Sequence, residues 1–301
     1  LRQTVERGEI VERSVRLPGV RDRVLELRAA PLVASGGGDG NGNGNGAHGN
    51  GGGAVLLVED VTQLRHLETM RQDFVANVSH ELKTPVTAIR GMVETLLDDP
   101  DVEPERRERF LHRVVSQVER MGNLVTDLLS LARLESDSSI MDLHSLDLRE
   151  PIYASVHSLQ PVSEGRGVHI ELQLHDEPVM VFGDEEALQQ AISNLLDNAL
   201  KYSPKGGVVR IRTEVDRNLA AVEVEDSGVG IEAHHRERLF ERFYRVDKAR
   251  SRALGGTGLG LAIVKHISRA LGGNVSVDSV PGRGSTFRIH LPYSSSPGRH
   301  R

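Results

Sequence analysis

The chain has 301 residues, carries a net charge of -6 at pH 7, and contains no cysteine and no tryptophan. The absence of cysteine excludes disulfides and thiolate metal sites, and the mild net charge gives no electrostatic basis for binding nucleic acid. No apolar run approaches the roughly 18 to 20 residues that a membrane span requires, so we expect no membrane contact in this fragment. The length predicts two or three domains, each with its own aliphatic core.

Residues 1–61 carry two segments with the pattern of β-strands. Apolar and charged residues alternate at residues 25–29, and a short apolar run follows at residues 55–58. The glycine- and asparagine-rich tract 36–53 buries too little apolar surface to offset the entropy of ordering it, so we predict a disordered loop. Two strands that lead into a helix resemble the C-terminal part of a PAS sensor domain, and we interpret residues 1–61 in that way.

Residues 62–136 predict two long amphipathic helices. The helices are predicted at residues 62–97 and at about 110–135, because apolar residues recur at steps of three and four along residues 74–96 and 110–131 and form one stripe on each helix. Residues 98–105, with two prolines, predict the turn between the helices. Because the two stripes exceed what one hairpin can cover, we expect two copies of the chain to form a four-helix bundle as a homodimer. The alternative is that the hairpin packs only on its own neighbouring domain.

The first predicted helix carries a histidine, His80, that lies off the apolar stripe and is expected to face solvent. A nucleophilic imidazole needs one free nitrogen while the other donates its proton to a carboxylate, and Glu81 follows directly as the candidate for that carboxylate. Thr84 lies one turn further on, and Pro85 removes a backbone N–H from the helix. The run SHELKTP, residues 79–85, resembles the phosphoacceptor box of bacterial sensor histidine kinases.

Residues 140–293 alternate between strand and helix patterns and predict an α + β sandwich, an antiparallel-rich sheet with helices on one face. This is neither a Rossmann fold nor a protein-kinase fold. Strands are predicted at residues 141–146, 168–174, 179–182, 208–215, 220–226, 274–279 and 286–291. Helices are predicted at residues 149–164, 184–202, 232–239 and 259–271, with Asp184 as an N-cap. We predict that residues 294–301 form a disordered tail.

Four motifs in this half of the chain suit a bound nucleotide. The run NLLDNALKY, residues 194–202, spaces two asparagines and a lysine on one helix face, where amide oxygens suit Mg²⁺ and an ammonium suits phosphate. The run DSGVGI, residues 226–231, ends a strand with an acid and two glycines that let the backbone approach a ligand. The run LFERFYR, residues 239–245, would by itself be core, and GGTGLGLAIVK, residues 255–265, opens a helix whose unpaired N–H groups suit anions.

In this order and spacing, the four motifs resemble the N, G1, F and G2 boxes of histidine kinases, a branch of the ATPase superfamily that includes gyrase. The resemblance covers residues 62–292. It implies a dimerisation and histidine phosphotransfer domain at residues 62–136, followed at residues 140–293 by a catalytic ATP-binding α/β sandwich of the gyrase and histidine-kinase type.

The resemblance also implies a role for each matched residue. The Mg²⁺ ligands would be Asn198 and Asn194, and residues 246–256, with three basic side chains, would form a mobile lid over the triphosphate. The nucleotide-binding residues would be Lys201 and Arg245 at the phosphates, Tyr202 on the nucleotide, Asp226 at the adenine amino group, Gly228 and Gly230 along the pocket, and Gly256, Thr257, Gly258, Leu259 and Gly260 in the glycine-rich loop.

The activity that this resemblance implies is autophosphorylation of His80 from ATP and Mg²⁺, with Glu81 orienting the ring. The phosphoryl group would then pass to an aspartate in the receiver domain of a separate response regulator, and Thr84 would help to remove phosphate from that regulator. Within the family, the sequence is most similar to the phosphate-regulon sensor kinases. Because the chain begins with Leu rather than Met, we interpret it as the cytoplasmic portion of a longer protein anchored in the inner membrane.

Three other functions share parts of these motifs. A conformational ATPase would use the same nucleotide fold without a phosphoacceptor, which SHELKTP on the hairpin disfavours. A serine kinase of the anti-sigma type would have the ATP fold but no such hairpin. A non-catalytic scaffold is disfavoured by the intact Asn198, Asp226 and glycine-rich loop.

Overall fold

The computed structural model of the chain describes residues 9–19, 22–32, 53–99, 101–136, 141–247, 251 and 254–293. The chain divides into two compact units, residues 1–79 and residues 80–301, with the boundary inside the first long helix. Three predicted segments lie outside the described residues: nearly all of the disordered loop 36–53, the basic positions of the lid, and the tail.

The first unit contains a three-stranded antiparallel sheet. Its strands β1 (Val11–Leu17), β2 (Arg23–Leu32) and β3 (Gly53–Asp60) are hydrogen-bonded in that order, which confirms the two predicted strands. The chain turns from β3 into a helix at Asp60, whose Oδ1 accepts a hydrogen bond from the backbone N–H of Thr62 at 3.1 Å. This aspartate satisfies a donor that the first turn of a helix leaves unpaired.

The two long helices have nearly the bounds that the apolar periodicity predicts. Helix α1 runs over Thr62–Asp98 and continues through Pro85, and helix α2 runs over Pro104–Ser136. Leu124 and Leu131, on the predicted stripe of α2, are buried. No helix among the described residues is both long enough and apolar enough to cross a bilayer.

The described residues from 141 to 293 form an α + β fold with a mostly antiparallel sheet. The strands are β4 (His144–Asp147), β5 (His169–Gln173), β6 (Met180–Gly183), β7 (Val208–Asp216), β8 (Leu219–Asp226), β9 (Asn274–Val280) and β10 (Gly284–Pro292). The five-stranded sheet has the order β5-β7-β8-β10-β9, in which β5 and β7 are parallel and the other pairs antiparallel. Strands β4 and β6 form a separate antiparallel pair. The predicted sheet is confirmed.

One face of the five-stranded sheet packs against helices, and the other carries ion pairs. The helices are α3 (Arg149–Arg166), α4 (Glu185–Tyr202), α5 (Ala233–Arg236) and α6 (Gly260–Ala270). Helices α4 and α6 contact the sheet, and their completely or almost completely buried side chains include Leu188, Ile192, Leu195, Leu196, Ile263 and Ile267. On the opposite face Arg212 of β7 pairs with Glu225 of β8 at 2.5 Å. Apolar burial on one side only explains the two-layer architecture.

Asp184 caps helix α4, as predicted. Its Oδ1 accepts a hydrogen bond from the backbone N–H of Ala187 at 2.9 Å. This cap fixes the start of the helix, and therefore the rotation at which α4 presents its polar face.

The helix predicted at residues 232–239 is shorter than expected. Only Ala233–Arg236 is helical, and the chain then continues through turns. In these turns each N–H donates a hydrogen bond to the carbonyl three residues earlier. Examples are Arg238 to the His235 carbonyl and Glu241 to the Arg238 carbonyl. The tighter bonding replaces the i→i−4 ladder, so the prediction overestimated this helix.

Candidate functional site

His80 is exposed on α1, as its position off the apolar stripe predicts. Leu82 is half-buried and Pro85 is buried, so the turn that carries His80 is anchored on its other side. The hydroxyl of Thr84 donates to the backbone carbonyl of His80 at 3.0 Å. The imidazole therefore stands on a regular helical turn and is accessible to a reagent from solvent.

Glu81 does not hold the His80 ring in this structure, which corrects the expectation from sequence. Its Oε2 accepts hydrogen bonds from Arg120 of α2 at 2.9 Å and from Arg245 at 3.2 Å. Consecutive residues of a helix point about 100° apart, so Glu81 faces α2 while His80 faces solvent. Both hydrogen bonds end on the same oxygen, so the two arginines fix the orientation of the Glu81 carboxylate in this structure.

Helix α4 presents the predicted polar face. Asn194, Asn198, Lys201 and Tyr202 are all half-buried, whereas the apolar residues between them are buried against the sheet. Lys201 donates to Asp197 Oδ2 at 2.5 Å, one turn earlier in the same helix. The i,i+4 spacing of this pair is visible in the sequence, so it was a signal that the prediction missed.

The glycine-rich loop lies against α4 and against residues 239–245, which we call the F-box segment. A Cβ on Gly260 would lie 2.8 Å from Asn194 Oδ1, and one on Gly258 would lie 3.0 Å from Phe243 Cα. Gly258 also has a φ of +79°, a left-handed conformation that glycine adopts without strain. The close approach explains why glycines are needed here, and it brings three of the predicted motifs into contact.

The F-box segment is tied to the loop by its backbone as well as by its side chains. Phe243 donates its N–H to the Gly258 carbonyl at 2.8 Å, and its φ of +62° is a conformation that non-glycine residues rarely adopt. Arg245 donates to the Thr257 carbonyl at 2.5 Å. Phe240 packs edge-on against Phe287, with ring centroids 6.4 Å apart, which agrees with its interpretation as core.

Thr257, Leu259 and Gly256 complete the loop. Leu259 is fully buried and its N–H donates to the Thr257 hydroxyl at 3.2 Å, so the threonine satisfies a donor at the start of α6. The Gly256 N–H donates to the Ser251 carbonyl at 2.9 Å. The loop is therefore a folded structure whose geometry is set by named hydrogen bonds.

Asp226 lies at the end of β8 and is buried. The backbone N–H groups of Gly228 and Ser285 both donate to its Oδ1, at 2.8 and 3.2 Å. Burial raises the pKa of the Asp226 carboxyl above its usual range. Gly228 packs against the backbone of Tyr202, and Gly230 has a φ of +69°, so the predicted acid and glycines of this motif do come together. A buried, fixed acceptor of this kind suits a single donor group on a ligand.

Asp127 is a residue of this region that the sequence analysis missed. Its Oδ2 accepts a hydrogen bond from the Thr257 hydroxyl at 2.6 Å, and burial raises its pKa. In the sequence it lies three residues after Leu124 and four before Leu131, on the apolar stripe of α2. An acid on a buried stripe was the available signal, because such a group requires a partner.

The oxygen donors of this region could hold Mg²⁺ only together with a bound nucleotide, whose phosphates would supply further ligands. Among the described residues no group of three or more histidines, cysteines or carboxylates could hold a metal ion. Asn194 and Asn198 offer amide oxygens from one face of α4, and Mg²⁺ commonly takes one or two protein oxygens together with phosphates and waters. The two asparagines therefore suit Mg²⁺ that arrives with a nucleotide.

Two regions of the chain match known families. Residues 70–137 match the His Kinase A (phospho-acceptor) domain, and residues 183–295 match the histidine kinase-, DNA gyrase B- and HSP90-like ATPase family. The first match contains the hairpin with His80, and the second contains the α4 motif, Asp226 and the glycine-rich loop. The two matches together cover more than half of the chain.

Individual proteins show the same similarity. The phosphate regulon sensor protein PhoR of Pseudomonas aeruginosa is 46% identical over 238 residues, which are 79% of this chain and 53% of PhoR. The sensor-like histidine kinase SenX3 of Mycolicibacterium smegmatis is 40% identical over 249 residues, 82% of this chain and 64% of SenX3. The histidine kinase AdeS of Acinetobacter baumannii superposes with a TM-score of 0.58 at 27% identity, covering 71% of this chain and 97% of that structure. The chain thus spans between about half and two thirds of the length of these two curated relatives.

Proposed function

Because the chain belongs to the sensor histidine kinase family, we propose that it phosphorylates its own His80 from ATP and passes the phosphoryl group to an aspartate of a response regulator. The observation that carries this proposal is the contact of Arg245 with Glu81 at 3.2 Å. It brings a predicted phosphate-binding residue next to the residue that follows the exposed His80.

The proposed reaction forms a bond from an imidazole nitrogen of His80 to the γ-phosphorus of ATP and breaks the bond to the bridging oxygen, which leaves with ADP. The buried carboxylate of Asp226 would accept a hydrogen bond from the adenine amino group. Lys201 and Arg245 would neutralise negative charge on the phosphates. Mg²⁺, held through Asn194 and Asn198, would supply charge compensation at the phosphate oxygens. Positioning and charge neutralisation dominate phosphoryl transfer, and these residues offer both.

Glu81 would then take a second role. Once Arg245 turns from Glu81 to a phosphate, the carboxylate is held only by Arg120 at 2.9 Å and can accept the proton of the His80 ring. The imidazole loses that proton as its other nitrogen attacks, so a carboxylate nearby stabilises the positive charge that develops. The arginine contact would link phosphate binding to the activation of histidine.

The hairpin supports a homodimer. Its helices line an apolar groove of about 760 Å³ with Val86, Ile89, Val93, Val118, Met121 and Val125. Val86 and Val118 are 50% and 56% exposed in the single chain. A second copy of the hairpin presents the same stripe and would bury this surface in a four-helix bundle.

The proposal has four further parts. Thr84, one turn after His80, would position water to remove phosphate from the regulator. The strand order β1-β2-β3 leading into α1 supports a PAS-like end for the first unit. The match to part of a sensor protein supports a cytoplasmic portion of a longer, membrane-anchored protein. The receiver domain of the regulator would dock at the exposed His80.

The test is incubation of the chain with γ-labelled ATP and Mg²⁺, in parallel with the His80→Gln variant. We expect acid-labile, base-stable label on the native chain and complete loss of label on the variant. A phosphorylated receiver domain added to Thr84→Ala should keep its phosphate, while autophosphorylation of that variant remains. Equal loss of both activities in Thr84→Ala would contradict the role given to Thr84.

The rival function gives a different result in the same assay. A conformational ATPase would release inorganic phosphate equally from the native chain and from His80→Gln, and neither would retain label. That outcome would leave the nucleotide site in place and remove the kinase assignment.

A further inference from the structure

The hairpin holds the glycine-rich loop through two carboxylates. The hydroxyl of Thr257 donates to Asp127 Oδ2 of α2 at 2.6 Å. Arg245 donates to the Thr257 carbonyl at 2.5 Å and also to Glu81 of α1 at 3.2 Å. The side chain of Arg245 is only 5% exposed, so this contact is largely shielded from water. The hydroxyl of Thr257 and the guanidinium of Arg245, both assigned to phosphate binding, are therefore hydrogen-bonded to carboxylates of the hairpin.

Carboxylate and phosphate oxygens compete for the same donors. A threonine hydroxyl has one proton, and while Thr257 donates it to Asp127 it cannot donate it to a phosphate. The hydroxyl also accepts from the Leu259 N–H at 3.2 Å, so its position is fixed from both sides. A phosphate that takes the proton of the Thr257 hydroxyl must therefore displace Asp127 from it.

Charge acts in the same direction. Asp127 is half-buried, and the partial loss of hydration of its charged form raises the pKa of its carboxyl. An anionic phosphate placed beside a shielded carboxylate is repelled more strongly than beside an exposed one. Lys201 attracts Asp127 electrostatically and Asp197 repels it, so the predicted phosphate-binding lysine also lies within the influence of this acid.

We propose that Asp127 competes with the phosphate groups of the nucleotide for the glycine-rich loop, so that docking of the loop on the hairpin and nucleotide binding oppose each other. This inference rests on the proposed function, because it requires the loop to bind phosphate. Coupling between two equilibria is reciprocal. If docking lowers the affinity for nucleotide by a given factor, a bound nucleotide lowers the equilibrium constant for docking by the same factor.

The test compares the native chain with Asp127→Asn. The amide has the same shape and can still accept from Thr257, but the negative charge is gone. Isothermal titration with ADP and Mg²⁺ should show binding that is tighter by about fivefold or more, the lower end of typical coupling between sites. Circular dichroism should show an unchanged helix content.

The matched control is Asp98→Asn. Asp98 is the exposed last residue of α1, and the substitution makes the same change in net charge without touching the loop. Its affinity for ADP should equal that of the native chain. A gain in Asp98→Asn as large as that in Asp127→Asn would overturn the inference, because net charge alone would then explain the effect.

A second measurement reports on docking itself. Hydrogen exchange along residues 120–131 of α2 should be faster in Asp127→Asn, and in the native chain it should become faster when ADP and Mg²⁺ saturate it. Asp127 in this stretch accepts a hydrogen bond from Thr257, and α2 contacts α6, the helix that follows the loop, so release of the loop would expose this part of α2 to exchange.

The outcomes separate this inference from the function on which it rests. If the native chain binds ADP and Asp127→Asn binds it equally or more weakly, competition is wrong and the nucleotide assignment stands. If neither protein binds ADP, the proposed function fails and the inference fails with it.

Discussion

The hairpin and the α + β fold use the same amphipathic helix pattern with opposite results. In α4, Leu188 and Ile192 are 0% exposed because the helices and the sheet of the same chain cover that face. On the hairpin, Val86 and Val118 of the same kind of stripe are 50% and 56% exposed. The period of a sequence therefore specifies a face to be buried, and only the three-dimensional context specifies whether the covering surface belongs to the same chain.

The largest expected effect is the loss of stability when a substitution opens a cavity in the α + β core. Ile192→Ala should lower the free energy of unfolding by about 2 to 5 kcal/mol, because the side chain is completely buried and its neighbours cannot collapse fully into the space. Chemical denaturation followed by circular dichroism measures the loss. The oligomeric state should not change.

Leu219→Ala is the control for that substitution. Leu219 lies in the same fold at the start of β8 and is 51% exposed. Its truncation should change stability by no more than about 0.5 kcal/mol. If Leu219→Ala destabilised the chain as much as Ile192→Ala, burial in this structure would not be the source of stability.

A charge on the hairpin groove would have a smaller but more specific effect. In the proposed dimer, Val118→Glu would place a carboxylate from each copy in an apolar interface, which should raise the dissociation constant by about 100-fold. Sedimentation equilibrium measures that constant. Since Val118 is exposed in the single chain, unfolding of the α + β fold should be unaffected. An unchanged dissociation constant would show that the groove binds something other than a second copy.

The smallest effect concerns the proposed nucleotide pocket. Burial raises the pKa of Asp226, so as the pH falls through that raised pKa the carboxyl gains a proton and becomes a poorer acceptor. The affinity for ADP should therefore decrease toward acidic pH. Asp226→Asn should bind about tenfold more weakly and lose this pH dependence, as titration calorimetry across the pH range would show. A native chain with pH-independent affinity would contradict the role of Asp226.

Much of the site could be predicted from local pattern. The face of α4, the exposure of His80, the acid at the end of β8 and the glycines of the loop all follow from spacing within one element. The 232–239 segment was less predictable, because the local pattern does not distinguish i→i−4 from i→i−3 bonding when remote contacts act on the segment, such as that of Arg236 with the Ser279 carbonyl. The two partners of Glu81 could not be predicted, because Arg120 and Arg245 are 39 and 164 residues away in the chain.

The sequence by itself determined the helices, the strands and the chemical types available, because periodicity and capping act over a few residues. Only the tertiary structure decided which charges meet, since Glu81, Asp127, Thr257 and Arg245 come from three different parts of the chain. Coulombic and hydrogen-bond energies depend on distances of a few ångströms, and such distances between remote segments exist only once the helices and the loop have packed.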